Sequence, residues 1–341
     1  GDGWTEITAF RDAMPPGPMM LRAMAFAPAD AGHAWIATSR GLASLDLSTG
    51  AVTPVAVPGF PGISLRSIAR GPDGRLWLGT QAMGLLMFDV QANRALAIAP
   101  RDPVAVHAIE VDRRGRVWAG TSDGLQVYDP FRGRVRFLRH SADDAHSIVG
   151  NLVRAIHEST DGTLWIGTHS GLSRVRESGD TIRFDHPLAV ALGTRPVPVV
   201  FSIAESPPGL LWLGTDAGVM RFDPIHAQVR TYGMRDGLQD PEFNGGAAMR
   251  LRDGRLALGG VRGINVFDPR QMRDSQYMPP VRLLSARSGA TAANAGAIAW
   301  APTQIDVPAD AGMLRMRVGA LDFADVGGIR YRYRLDGFDP D

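Results

Sequence analysis

Six short loops in this sequence carry polar side chains at equivalent places, and these side chains are the first candidates for ligand binding. Each loop follows a hydrophobic segment, and the six positions hold, in order, Arg40, Gln81, Asp123, His169, Asp216 and Arg262. The side chains differ in charge and hydrogen-bonding capacity, while the residues around them repeat. Loops whose flanking residues repeat while one side chain varies are typical of a specificity surface, although neutral variation in exposed loops produces the same pattern.

Catalytic and metal-binding patterns are weak by comparison. His157-Glu158 lacks the second histidine of a zinc-protease helix. Asp143-Asp144, between His140 and His146, could hold calcium or act as an acid/base pair, but a solvated insertion is the simpler interpretation. The chain has no cysteine, which removes disulfides, thiolate metal sites and cysteine nucleophiles. The sequence therefore predicts no catalytic residue, no metal and no cofactor.

The composition is that of a folded, water-soluble chain without a charge bias. Hydrophobic residues make up 45% and charged residues 21% of the 341 residues, and the net charge is +1. There is no glycine-rich phosphate loop and no basic-aromatic stripe, so nucleic acid is not an expected partner. No segment is apolar for long enough to span a membrane. The first residues do not form a signal peptide, and we expect the chain to be part of a longer protein.

A repeated motif determines the fold class. The repeat is a short hydrophobic strand followed by a loop and a Gly-Leu-like pair, and its anchor residues lie between 41 and 47 residues apart at Trp35, Trp77, Trp118, Trp165, Trp212 and Ala257. A period near 40–45 residues with four strands per unit is typical of a β-propeller blade. Because the tryptophans recur at one strand position, we expect them to pack between blades instead of forming a sugar-binding surface.

Each repeat reads as four strands. An alternating strand comes first, then an Asp-Gly turn such as Asp73-Gly74, which we interpret as a type I′ hairpin. The anchor strand follows, and a third strand usually ends in aspartate, although the fourth copy has Val175-Arg176 at that place. A weaker strand such as Arg134–Leu138 completes the unit.

Strand counting suggests how the ring closes. The sixth copy lacks a fourth strand of its own, whereas Trp4–Phe10 alternates like a strand ahead of the first copy. Pairing of this N-terminal strand with the last blade would leave no long exposed edge. We therefore predict an all-β chain with a six-bladed propeller over residues 1–275, seven blades being the alternative, and a second domain over 276–341.

The repeats resemble the two-component regulator propeller family, whose core reads approximately L-W-[IV]-G-T followed by G-L. The similarity covers about residues 20–270, and Glu242–Ala247 before Gly259-Gly260 resembles the terminal repeat of that family. Further along, Tyr331–Asp339 is similar to the start of the three-tyrosine domain, an immunoglobulin-like sandwich, and Pro279–Val281 and Ala320–Phe323 fit its earlier strands. We expect only the start of this sandwich to lie within the sequence, which ends at Asp341.

The resemblance implies a sensor region that lies outside the cytoplasm, in the periplasm, ahead of a membrane span. A histidine kinase or diguanylate cyclase would follow that span. The expected ligand is a small molecule or an oligosaccharide, the parent protein is expected to be a homodimer, and membrane contact would come only through a segment absent from this chain. Two alternatives stay open: a protein-binding scaffold, and a propeller lyase or hydrolase in which His140, His169 and Asp216 would converge.

The expected site is the mouth of the central channel. In a propeller, the connections between blades and the loops after the anchor strands lie on one face around this channel, and ligand sites are concave. The connections containing 140–151, 186–198 and 233–246 are long and fall on consecutive blades. They add His140, Asn151 and Asn244 to the six loop residues as candidate ligand-binding positions.

Overall fold

The computed structural model describes residues 20–26, 32–99, 104–272, 280–289, 299–301, 307 and 313–320. Two compact units make up the chain, Gly1–Met272 and Arg273–Asp341. The first unit is a β-propeller, and the described part of the second is a small antiparallel sheet.

The described part of the propeller consists of six antiparallel sheets, in which neighbouring strands are consecutive in the chain. The first three blades are built from β1 Leu21–Phe26, β2 His33–Thr38, β3 Gly41–Asp46 and β4 Val52–Val55; β5 Leu65–Arg70, β6 Leu76–Thr80, β7 Leu85–Asp89 and β8 Arg94–Ile98; and β9 Val106–Val111, β10 Val117–Thr121, β11 Gly124–Asp129 and β12 Arg134–Leu138. The next three are built from β13 Val153–Glu158, β14 Leu164–Thr168, β15 Gly171–Ser178 and β16 Thr181–Asp185; β17 Val200–Glu205, β18 Leu211–Thr215, β19 Gly218–Asp223 and β20 Gln228–Tyr232; and β21 Phe243–Arg250, β22 Leu256–Gly260 and β23 Gly263–Phe267.

The first strand of each blade lies at the centre of the ring. Each of these strands packs against the first strand of the next blade, in the order β1, β5, β9, β13, β17 and β21. Residues of β1 and of β21 line one and the same cavity together with residues of β5, β9 and β13. The prediction of six blades is therefore confirmed, and the described residues contain no seventh sheet in this unit.

The anchor strands form the hydrophobic layers between blades. All five residues of β6, β10, β14 and β18 are buried. Three of their tryptophans contact an aromatic ring of the following blade: the ring centroids lie 5.7 Å apart for Trp77 and Tyr128, 6.2 Å for Trp165 and Phe222, and 4.9 Å for Trp212 and Phe267. The prediction that the tryptophans pack between blades is confirmed for these rings.

The Asp-Gly turns differ from the predicted type. A type I′ turn needs positive φ at both central residues, but in Asp73-Gly74 only Gly74 has one, at 84°. The amide of Gly74 donates to the carbonyl of Gly71, and the amide of Gly71 donates to the carbonyl of Arg75. This is a three-residue loop, with a type I turn followed by a left-handed glycine. The aspartate has the structural role that was expected, because its Oδ1 accepts the amide of Arg75 at 3.1 Å.

Two blades depart from the common pattern. In blade 4, β15 is eight residues long and continues past Val175-Arg176 to pair with β16, so this hairpin extends beyond its equivalents. Blade 6 has three described strands. The segment predicted to close it, residues 4–10, lies outside the described residues.

The described sheet of the second unit has the order β25-β24-β26, with β24 Val281–Gly289, β25 Ala299–Trp300 and β26 Met313–Ala320. All of its pairs are antiparallel. These strands are consistent with part of a β-sandwich, and the tyrosine motif at 331–339 lies outside the described residues. The longest described helix, α1 Pro187–Leu192, has six residues, and no described helix is long and apolar enough to cross a membrane.

Candidate functional site

A β-bulge recurs at the start of the innermost strand in every blade. The pairing with the anchor strand shifts register there, for example between Leu65 and Ser67 and between Val153 and Ala155. A bulge adds one residue to a strand and re-aims its side chain. The residues at the six bulges are Arg22, Arg66, His107, Arg154, Phe201 and, in a longer insertion, Asn244–Ala247.

These bulge residues bring cationic and polar groups to the channel mouth. A cavity of about 440 Å³ is lined by Leu21, Arg22, Arg66, His107, Arg154, Asn244, Gly245 and Ala247. Three of the lining side chains are guanidinium groups, and none is a carboxylate. Burial and the nearby charges of Arg22 and Arg154 lower the pKa of Arg66. This site combines like charges that come from three different blades.

Arg66 is held in place by two neighbours. Its Nε donates to Oε1 of Gln81, and its Nη1 lies 3.2 Å from Nδ1 of His107. Because a guanidinium can only donate, Nδ1 of His107 must accept, which leaves the imidazole proton on Nε2. Burial, together with the charges of Arg154 and Arg66, lowers the pKa of His107 to about 4. At neutral pH the ring is therefore uncharged and presents an N–H group.

Two donors of this site are buried without a hydrogen-bond partner. They are Nε2 of His107 and Nε of Arg154. Buried N–H groups without partners are rare in proteins because each one loses its hydrogen bond to water. Among the described residues, Arg22, Arg66 and Arg154 also form no ion pair with a carboxylate. The channel mouth therefore combines positive charge with N–H donors that the described part of the protein does not satisfy.

Two of the nine predicted site residues belong to this mouth. Gln81 accepts a hydrogen bond from Arg66, which lines the cavity, and Asn244 lines the cavity directly. His169 is exposed, and its amide donates to the carbonyl of Leu152.

The other six predicted residues are engaged in local contacts. Asp123 pairs with Arg139, and Arg262 lies 3.3 Å from Asp240. The remaining contacts are made by the Arg40 amide to Thr38 Oγ1, by Asp216 Oδ1 with the Val199 amide, and by the His140 amide to Asn151 Oδ1. No group of three His, Cys, Asp or Glu side chains among the described residues could hold a metal ion, so the convergence of His140, His169 and Asp216 is not found.

The larger cavity, about 630 Å³, lies at the outer side of the ring between β12 and the extended hairpin of blade 4. Its arginines are already paired: Arg116 with Glu177, and Arg132 and Arg134 with Asp180 at 3.0 and 3.3 Å. These contacts join the hairpin to blade 3. The charged groups that line this larger cavity therefore pair with one another, whereas those of the channel mouth do not.

Sequence reasoning missed Arg22, Arg66, His107 and Arg154. Each follows directly after the first apolar residue of an innermost strand, at Leu21, Leu65, Val106 and Val153. In the sequence these strands read as ordinary alternation, in which a polar residue points away from the core. Aligning the six repeats at this position would have shown three arginines and a histidine in consecutive blades.

A family model described as "Two component regulator propeller" matches residues 147–170. The matched segment runs from the connection after blade 3 through β13 and β14 to the loop that holds His169, and so covers one of the six repeats. It agrees with the resemblance inferred from the repeated motif. No curated protein matches the chain in sequence.

Solved structures with the same fold come from several bacteria. PorZ, a surface component of the type-IX secretion system of Porphyromonas gingivalis, is 13% identical with a TM-score of 0.57, and the match covers 87% of this chain and 51% of that one. Virginiamycin B lyase from Staphylococcus aureus is 16% identical with a TM-score of 0.53, covering 74% and 85%. A further match is the extracellular domain of BT3049 from B. thetaiotaomicron, which is described as a putative hybrid two component system. It is 16% identical with a TM-score of 0.43, and the match covers 86% of this chain and 46% of that one.

The similarities to PorZ and to virginiamycin B lyase concern the fold alone, because both identities are low and the two proteins differ in their described roles. The chain spans 46% of the BT3049 domain and 51% of PorZ, about half the length of each.

Proposed function

We propose that this chain is the ligand-binding part of an extracytoplasmic sensor, with its site at the mouth of the propeller channel. The observation that carries the proposal is the convergence of Arg66, His107 and Arg154 on one cavity, with two buried donors that have no partner. A cavity of about 440 Å³ is within the size range of small-molecule sites. The ligand is a small molecule or a short oligosaccharide.

The sensing role is supported by the description of the matching family model and by the six repeats that resemble that family. The parent protein would be a membrane-anchored homodimer with the propeller in the periplasm and a histidine kinase or diguanylate cyclase output. The second unit would begin the three-tyrosine sandwich that connects the propeller to that output. Signalling through it requires two states that differ in affinity for the ligand, since a ligand that binds both equally shifts nothing.

Binding without catalysis is part of the proposal. The cavity is lined by arginines, an uncharged histidine, an asparagine and small residues, and this lining offers donors but no carboxylate base. Such a lining can hold and orient a ligand. Turnover would require a group that accepts a proton, and His107 Nδ1 already accepts from Arg66.

A thermal-shift panel tests the proposal on the 341-residue chain. The panel contains oligosaccharides, amino acids, organic acids and inorganic phosphate. A ligand at about 100 times its Kd stabilises the folded state by about 2.7 kcal/mol, which shifts the melting temperature by several degrees. Each compound that shifts the melting temperature is then recovered and checked by mass spectrometry, and we expect it to be unchanged.

Two tryptophan variants locate the site. Gly245 lines the cavity, and a Cβ there meets no atom within 4 Å, so Gly245→Trp should fill the mouth and abolish the shift. Gly32, before β2 at the opposite end of blade 1, has the same open surroundings, and Gly32→Trp is the matched control. A flat panel would contradict the proposal and favour a protein partner. A chemically altered ligand would favour the enzyme.

A further inference from the structure

The bulge residues of the first four blades form a continuous arc of donor side chains, here called the cationic arc, in which three arginines carry charge and His107 is neutral. Arg22, Arg66, His107 and Arg154 come from consecutive blades, and Phe201 and Asn244 complete the ring. One half of the ring is therefore basic, and the other half is apolar or neutral. Such clustering of like charges opposes folding, and no carboxylate of the described chain relieves it.

Two side chains of this arc, Arg66 and His107, hold each other in place. Arg66 is fixed between Gln81 and His107, and its contact with Nδ1 sets the histidine tautomer that presents Nε2–H. Nε2 of His107 and Nε of Arg154 are buried and unpaired. Guanidinium groups and neutral N–H donors without acceptors suit an oxyanion in their chemistry, because charge-assisted hydrogen bonds are shorter and stronger than neutral ones.

We infer that the channel mouth recognises a small molecule through an oxyanion group, with a carboxylate or phosphate held by Arg66, His107 and Arg154. The neutral body of the ligand would lie toward Asn244 and Gly245, where an amide and open space are available. The inference rests on the proposed function and narrows its ligand to anionic compounds. It excludes neutral sugars as the main ligand class.

Calorimetry with matched probes tests the inference. Galacturonate and galactose share a sugar ring and differ by the carboxylate, and inorganic phosphate provides an oxyanion without a sugar. We expect galacturonate or phosphate to bind the 341-residue chain and galactose to bind at least tenfold more weakly. Binding of galacturonate alone indicates an organic acid as the source of the anion, and binding of phosphate alone indicates an inorganic or phosphorylated ligand. Raising the ionic strength should weaken either interaction.

Charge-matched variants separate the site from general electrostatics. Arg154→Gln should weaken anion binding about tenfold or more, because it removes a buried charged donor. Arg94→Gln removes the same charge from an exposed position on β8 and should leave binding unchanged. Gly245→Trp gives a second variant at the mouth that leaves every charge in place, and it should also abolish binding.

The outcomes distinguish the inference from the proposed function. Equal binding of galactose and galacturonate, or anion binding that Arg154→Gln does not weaken, would overturn the anion inference and leave a ligand-binding propeller. Failure of both anions to bind would also overturn it, whatever the wider panel shows.

Discussion

At the scale of single residues, the residue that follows the innermost strand accepts a hydrogen bond from the anchor tryptophan in blades 3, 4 and 5, through its side chain in blades 3 and 4 and its backbone in blade 5. The indole Nε1 of Trp118 donates to Asp112 Oδ2 at 2.9 Å, and that of Trp165 donates to Ser159 Oγ at 3.0 Å. Asp112 is buried and also binds Arg116, with 2.7 Å between Oδ2 and Nη2. The same position therefore carries a single hydrogen bond in blade 4 and a buried ion pair in blade 3.

Replacement of Asp112 should therefore cost more than replacement of Ser159. Asp112→Ala leaves the indole without its acceptor, removes one of the two carboxylates that bind Arg116, and frees the Arg114 and Arg116 amides, so we expect a loss of about 3 kcal/mol in the free energy of unfolding. Ser159→Ala removes one neutral hydrogen bond and should cost about 1 kcal/mol. Urea unfolding followed by tryptophan fluorescence measures both. Equal losses in the two variants would show that the Asp112–Arg116 ion pair adds nothing to the free energy of unfolding.

Glu110 gives the propeller a pH-dependent stability. Burial, followed by the carboxylates of Glu158 and Asp112, raises the pKa of Glu110 from 4.5 to about 7. The unfolded chain ionises at the lower value, so the folded state holds the extra proton between these pH values. Stability should therefore fall as the pH rises from about 4.5 to about 7 and then stay low.

The variant Glu110→Gln should remove this fall. We expect it to be more stable than the parent protein by up to about 3 kcal/mol at pH 8 and to show no gain at pH 4.5. Urea unfolding at several pH values gives the comparison. Glu242→Gln, at an exposed position, should follow the parent profile. A constant difference between Glu110→Gln and the parent at all pH values would contradict the assignment.

At the scale of elements, the spacing between blades depends on the glycine that five of the six anchor strands carry; β2 has Ala37 at that position. A Cβ added at Gly167 would lie 2.8 Å from Val200 Cγ1 and 3.0 Å from the Val200 carbonyl oxygen, at the start of the next innermost strand. Gly167→Ala should therefore destabilise the protein by about 2 kcal/mol through overpacking. At Gly233, where a Cβ meets no atom within 4 Å, the same change should be nearly neutral in unfolding experiments. If the two variants are equally stable, blade spacing does not depend on this contact.

These elements also show what the sequence could and could not predict. The tryptophan anchors and the glycines near them recur because each blade must pack against the next, so periodicity alone predicted the strands and the ring. The bulges were not predicted, because an inserted residue leaves no mark on a strand that alternates, as in Leu65–Arg70. The site was therefore sought on the loops, and only Gln81 and Asn244 of the nine chosen residues lie at the cationic arc.

At the scale of the whole molecule, ring closure is the prediction that stays open. Blade 6 has three described strands, and we expect residues 4–10 to supply the fourth along β23. Deletion of residues 1–19 would then leave an unpaired edge and should lower the melting temperature by about 10 °C. A peptide of residues 1–19 added in trans should restore part of that loss. An unchanged melting temperature after the deletion would mean that another segment closes the ring.

The channel mouth depends on the whole ring, because its donor side chains come from one bulge in each of the first four blades. Hydrogen–deuterium exchange of the 341-residue chain, measured alone and with whichever of galacturonate and inorganic phosphate binds, tests this site most directly. We expect slower exchange in peptides around residues 20–24, 64–68, 105–109 and 152–156, where the innermost strands of the first four blades begin, and no change around 129–136 or 176–183 in the outer groove. Slower exchange confined to the outer groove, or none in the four central peptides, would contradict the assignment of the ligand site to the channel.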